Sequence, residues 1–167
     1  EKRYSAKVVG IDISEGMIAI GNEKIKQLKK EAKIQLLLGD AEQLSFDDQS
    51  FEGVSIGFGI RNFGDKKAAL KEIFRVLKPN GKLIILEFSR IRTPILGQIF
   101  AFYFKHILPK IGQFFSDDKE AYTYLPDSVE TFPLQTEFVD MIKSCGFKTA
   151  YYKNYTFGIC SLFYAEK

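Results

Sequence analysis

Three observations on the sequence predict an α/β fold with a mostly parallel sheet and a terminal antiparallel hairpin. Strand-like and helix-like stretches alternate through the first half of the chain. The first two strands each run into an aspartate, Asp12 and Asp40, and residues 148–167 alternate as two strands joined around Asn154 to Gly158. In sheets of this kind ligands bind at the carboxyl ends of the strands, which is where both aspartates stand.

Taken in order, "KVVGID" (7–12) is an apolar strand, and Ser14 caps a helix over 15–30 with Met17, Ile18, Gly21, Ile25 and Leu28 at helical spacing. "IQLLLG" (34–39) and "FEGVSIGFG" (51–59) are buried strands separated by a loop rich in Asp and Ser. Asp65 caps a second helix whose Leu70, Ile73, Phe74 and Leu77 form one apolar stripe, stopped by "KPNG" before the strand "KLIILEF" (82–88). At about 93–133 the rhythm breaks into a long aromatic segment and an irregular stretch, a cap inserted into the single domain that 1–167 forms. "TEFVDMIKSCGF" is an amphipathic helix ended by Gly146, and the hairpin closes the fold.

Composition sets limits on partners. The 167 residues are 46% hydrophobic and 27% charged, enough for one domain with a core. A net charge of +3, spread over scattered lysines rather than a basic block, argues against a nucleic-acid partner. Cys145 and Cys160 have neither metal-ligand nor disulfide-scaffold spacing, and no secretory signal starts the chain, so a cytoplasmic setting without a metal is expected. The most apolar stretch, 94–115, is interrupted by Gln98, Lys105, His106, Pro109 and Lys110, short of the ~20 apolar residues of a bilayer span. It is expected to lie against the inner face of a membrane rather than to cross it, or to form a core or homodimer helix.

The chemistry concentrates at strand ends. Asp12 there can accept hydrogen bonds from both hydroxyls of a ribose, or merely cap the following helix together with Ser14. Asp40 with the Ala41 N–H can read an adenine edge, or form an Asx turn after Gly39. Gly57 and Gly59 permit close approach of a ligand to the backbone, and Arg61 and Asn62 offer polar groups at the mouth.

"RVLKPNGKLIILEFS" (75–89) resembles the signature of the ubiquinone and menaquinone biosynthesis C-methyltransferases, in its Arg75, Val76, Lys78, Pro79, Gly81, Glu87 and Ser89. The likeness extends to "GFGIRN" and "DKKAALKEIFRVLKP" before it and to "HILPKIG", "YTYLPDSV", "CGF" and "NYTFGI" after it, hence to essentially the whole chain. Asn80 replaces the family's usual first glycine, and Gly57 lies where the family often has a serine. The resemblance implies a class I S-adenosylmethionine-dependent, Rossmann-like fold and C-methylation of a prenylated quinol, either demethylmenaquinol or a ubiquinol precursor. It implies that Asp12, Ile13, Asp40, Ala41 and Gly57 bind the cofactor S-adenosyl-L-methionine, and that Arg61 and Asn62 act beside the substrate ring. Tyr122, Tyr124 and His106 are the expected substrate contacts, although a lone histidine is more often a helix-surface residue and cap aromatics are more often packing.

By the same resemblance the family's first strand, glycine-rich loop and first helix precede the point at which this sequence begins. In a sheet ordered 3-2-1-4-5 that strand lies between the one ending at Asp12 and the one ending near Gly57. An unpaired slot is costly, so the slot is expected to be filled by other chain or a partner, or closed by direct pairing of these two strands. Two rivals are weighed beside this reading. A nicotinamide dehydrogenase shares the acid after a strand, but "GDAEQLSF" and the hairpin argue against it; a different methyltransferase or a non-catalytic fragment is the other alternative.

Overall fold

The structure is a computed structural model that describes residues 6–90, residue 102 and residues 124–167. Its first unit is strand β1 (Val8–Asp12), helix α1 (Glu15–Gln27) and strand β2 (Ile34–Leu38), with β1 and β2 parallel and Asp12 opposite Leu38. Two glycines make the unit close. A Cβ on Gly10 would lie 2.5 Å from Leu36 Cδ2, and one on Gly21 would lie 2.4 Å from Leu36 Cδ1, so Leu36 fills the space that both glycines leave between strand and helix. Ser14 caps α1 as expected, its Oγ accepting from Met17 N at 3.3 Å.

The second unit holds the core. Strands β3 (Phe51–Gly57), β4 (Leu77–Phe88), β5 (Thr149–Tyr155) and β6 (Cys160–Glu166) form a sheet in the order β3-β4-β6-β5. β3 and β4 are parallel, while β6 runs antiparallel to both β4 and β5, which is the terminal hairpin. Helices α2 (Lys66–Val76), α3 (Tyr124–Thr131) and α4 (Gln135–Ser144) complete the described elements, with short 3-10 turns at Ile60–Asn62 and Thr156–Gly158. Leu70 and Ile73 of α2, Phe138 and Ile142 of α4, Leu83 and Ile85 of β4, and Phe132, Phe147 and Phe163 make one buried cluster. Phe138 packs edge-on to Phe163 with ring centroids 4.9 Å apart, a favourable aromatic geometry.

Several expectations are corrected. The "KPNG" segment does not separate helix from strand: β4 begins at Leu77, and Asn80 takes the bend at φ 63° inside an irregular stretch of the β3–β4 pairing. Leu77 belongs to that strand and not to the stripe of α2. Helix α1 ends at Gln27; Ile18, Gly21 and Ile25 pack, but Met17 and Leu28 are 57% and 59% exposed. The buried side of the large sheet carries α2 and α4, whereas Ile84, Tyr151 and Tyr155 on its other side are exposed.

The expected closing of the slot by direct pairing is not formed, because β1 and β3 belong to different sheets. Local packing gives the reason. The β1–α1–β2 unit closes on itself around Leu36, and its link to the rest runs through the loop after β2 rather than through a strand. There Arg75 of α2 donates to the Leu44 and Phe46 carbonyls and to Asp48 Oδ1, and Glu72 accepts from Leu44 N at 2.9 Å. Every described residue that is fully buried lies between Ile60 and Ala165.

Candidate active site

Asp12 ends β1 and Asp40 follows β2, and because the two strands pair in parallel register the aspartates stand at neighbouring strand ends. Gly39 N donates to the Asp12 carbonyl at 3.1 Å, which stitches the two ends together. Each carboxylate also shapes its own turn: Asp12 Oδ1 accepts from Ser14 N at 2.9 Å, and Asp40 Oδ1 accepts from Glu42 N at 2.8 Å. Both readings left open by the sequence are therefore compatible, since one oxygen serves the turn while Oδ2 of each acid makes no bond among the described residues. The Ala41 N–H likewise donates to nothing described. Ile13, beside Asp12, is 76% exposed and offers an apolar flank.

This donor and acceptor set fits an adenosine. Two carboxylate oxygens and one amide are left without a partner among the described residues at adjacent strand ends, a donor and acceptor set of the kind that a ribose diol and an adenine edge require. A Cβ on Gly57 would meet no described atom within 4 Å, so packing among the described residues does not require glycine there. Open space against backbone is what a ligand needs for close approach.

After Gly57 the chain turns sharply. Phe58 adopts φ 55°, uncommon for a bulky residue, while its N–H donates to the Leu86 carbonyl at 2.8 Å and its ring packs 4.6 Å from that of Phe88. The strained turn delivers Arg61 and Asn62 to the same end of β3. Asn62 is exposed, but Arg61 is turned inward, its side chain 5% exposed and paired with Glu87 at 2.8 Å. Glu42 links this region to the loop after β2: its Oε1 accepts from Asp65 N at 3.0 Å, so the loop carrying Asp40 and the loop carrying Asn62 are held together.

Sequence reasoning quoted Glu87 within the family signature but gave it neither a role nor a partner, although a signal was present. In "KLIILEF" the inward positions of the strand are Leu83, Ile85 and then a carboxylate, and a charge at a core position is rarely placed without a partner. Phe58 had no signal, since nothing in its identity announces a left-handed backbone. Cys160 sits opposite Phe88 on β6, and burial, with Glu87 nearby, pushes its thiol above the ordinary range, so it is not an activated nucleophile. Tyr122 and His106 lie outside the described residues, as does the stretch 94–115 apart from Phe102, which is exposed; Tyr124 begins α3, and only its backbone is described. Among the described residues no helix is long and apolar enough to cross a membrane, and no group of His, Cys, Asp and Glu could hold a metal ion.

Solved structures of similar shape include an S-adenosylmethionine-dependent methyltransferase from Aquifex aeolicus, with TM-score 0.67 and 17% identity over 96% of this chain and 68% of that one. The [4+2]-cyclase SpnF is also similar, with TM-score 0.73 and 14% identity over 97% of this chain and 66% of that one. These likenesses establish the class I methyltransferase, Rossmann-like fold; a cyclase among them illustrates that the fold alone does not decide the reaction. Among relatives in sequence, the ubiquinone/menaquinone biosynthesis C-methyltransferase UbiE of Geobacter sulfurreducens is 43% identical over 98% of this chain. The demethylmenaquinone methyltransferase of Bacteroides fragilis is 39% identical over 96% of it. The chain spans 63% and 66% of the lengths of these two relatives. A profile described as the ubiE/COQ5 methyltransferase family matches residues 1–167, and with relatives this similar the chain belongs to that family.

Proposed function

We propose that the protein takes part in methylating a ring carbon of a prenylated quinol, demethylmenaquinol or a ubiquinol precursor, with S-adenosyl-L-methionine as donor. The observation that carries this reading is the pair Asp12 and Asp40 at adjacent parallel strand ends, each with an oxygen left over after its own turn is made. The family's names supply the substrate class.

The cofactor, when bound, supplies an electrophilic methyl group on a sulfonium. Asp12 accepts hydrogen bonds from the ribose hydroxyls, with Ile13 against the same end of the nucleoside. Asp40 and the Ala41 N–H read the adenine edge, and the backbone at Gly57 admits the ligand at close range. On the acceptor side, Asn62 offers an exposed amide, and Arg61 presents its remaining N–H groups from a fixed position. A ring hydroxyl loses its proton to a water that Arg61 holds, which makes the ring carbon nucleophilic; general-base help of this kind is worth about 10²–10⁴-fold. The rest is alignment of donor and acceptor, to which a protein contributes by fixing geometry.

The same reading places Tyr122, Tyr124 and His106 near the acceptor and uses the apolar stretch 94–115 as shelter for an isoprenoid tail, against the cytoplasmic face of a membrane or within a homodimer. Calorimetric titration with S-adenosylmethionine and with NAD tests the cofactor, and mass analysis of products from each quinol tests the acceptor. Binding of S-adenosylmethionine alone with a gain of one methyl group on a quinol is expected. Binding of NAD instead, or methylation of neither quinol, would overturn the proposal.

A further inference from the structure

Along β4 the inward positions read Leu83, Ile85 and Glu87, and the first two sit in the apolar core. A carboxylate at the third, 0% exposed, is costly unless its charge and lone pairs are matched. One residue matches most of them. Arg61 donates its backbone N–H to Glu87 Oε2 at 3.1 Å and its Nη1 to Oε1 at 2.8 Å, while Phe88 N–H reaches Oε1 at 2.9 Å.

The same guanidinium touches three further groups. Nη1 also donates to the Phe58 carbonyl of the strained turn, Nε donates to Ser128 Oγ of α3 at 3.3 Å, and the Cζ atom lies 5.4 Å from the Phe88 ring centroid. Arg90 holds the segment after α3 in a second place, donating to the Phe132 carbonyl at 2.9 Å. The end of β4, the turn after β3 and the helix α3 thus meet at one side chain.

We propose that Glu87 is a positioning residue for the methyl acceptor: by holding Arg61 in its buried position it fixes both the turn that presents Asn62 and the helix α3, without itself meeting substrate. The inference rests on the reading that the acceptor lies beside Arg61 and Asn62. Core packing alone does not call for this pair, because an apolar side chain of similar volume would extend the cluster of Leu83 and Ile85 without burying a charge. What the pair contributes is direction. A guanidinium has a planar, rigid fork of donors, so a carboxylate that fixes the fork also fixes whatever its other nitrogens hold.

Glu87→Gln keeps the shape and one acceptor oxygen but removes the charge. Expected is amide exchange in α3 and in residues 58–62 faster by about tenfold, the size of losing one charge-assisted bond, with α2 and α4 within about twofold of the unaltered protein. KM for the quinol rises by about tenfold and affinity for S-adenosylmethionine, read at Asp12 and Asp40, stays within about twofold. Unchanged exchange in α3, or acceleration spread equally over α2 and α4, would overturn the proposal. Should Glu87→Gln not fold, Ser128→Ala breaks the tie between Arg61 and α3 while leaving the buried pair in place; faster exchange in α3 supports the proposal and unchanged exchange overturns it. Exchange is measured with no acceptor present, so a wrong quinol assignment shows in the products and leaves the exchange result standing.

Discussion

Lys167 closes the end of α2 through Phe74: its Nζ donates to the Phe74 carbonyl at 2.6 Å and lies 4.5 Å from the centroid of the same residue's ring. Nζ also donates to the carbonyls of Leu77 at 2.7 Å and Arg75 at 3.3 Å, so one ammonium serves three groups at a helix C-terminus, where the helix dipole favours a cation. Lys167→Met should lower unfolding free energy by about 1–3 kcal/mol, the range for charge-assisted bonds. Urea denaturation checks this, and a midpoint equal to that of the unaltered protein would show the ammonium to be dispensable.

Asp12→Asn separates the turn from the ligand. The amide oxygen can still accept from Ser14 N, yet one acceptor becomes a donor and the charge is lost. Affinity for S-adenosylmethionine should fall by about 1–3 kcal/mol with thermal stability nearly unchanged. Titration calorimetry and a melting curve on one sample decide it; equal affinity would remove Asp12 from the site.

Gly146, which ends α4, adopts φ 108°, and a Cβ there would stand 3.0 Å from Phe74 Cζ. Gly146→Ala therefore combines backbone strain with crowding of a half-buried ring and should cost about 1–3 kcal/mol. For a chain of this length each kcal/mol corresponds to about 2–4 °C in Tm. A differential scan showing no decrease would mean that the chain relaxes freely there.

The Arg75 network carries a pH signature. Hydrogen bonds from Arg75 hold the Glu72 carboxyl below its ordinary range, and the Leu44 N–H assists. A carboxylate whose pKa is lower folded than unfolded stabilises the protein above the unfolded value, and that stability is lost as pH falls through the folded one. The gap in stability between the unaltered protein and Glu72→Gln should thus be full near neutral pH and shrink from about pH 5 downward. Urea midpoints for both proteins across that window test it, and a constant gap would disprove the linkage.

Much of the chain could be read before any coordinates. Alternation by twos and by the helical repeat located β1, α1, β2, β3, α2, α4 and the hairpin, because burial of one face imposes those periods locally. The caps Ser14 and Asp65 were legible for the same reason, since a cap depends on three or four consecutive residues. Asp12 and Asp40 were also legible, as residues at the ends of parallel neighbours lie together by construction.

What the sequence by itself determined, then, is the order of elements, the family and the acidic strand ends, all of which follow from local pattern or from resemblance. Tertiary structure alone decided that β1–α1–β2 closes around Leu36 with Gly10 and Gly21, and that this unit and the large sheet are separate sheets. It alone turned Arg61 inward to Glu87, a residue 26 positions away, and bent Phe58 into a left-handed conformation. The physical reason is common to these cases: each depends on which distant atoms fill a space or match a charge, and no periodicity along the chain encodes that.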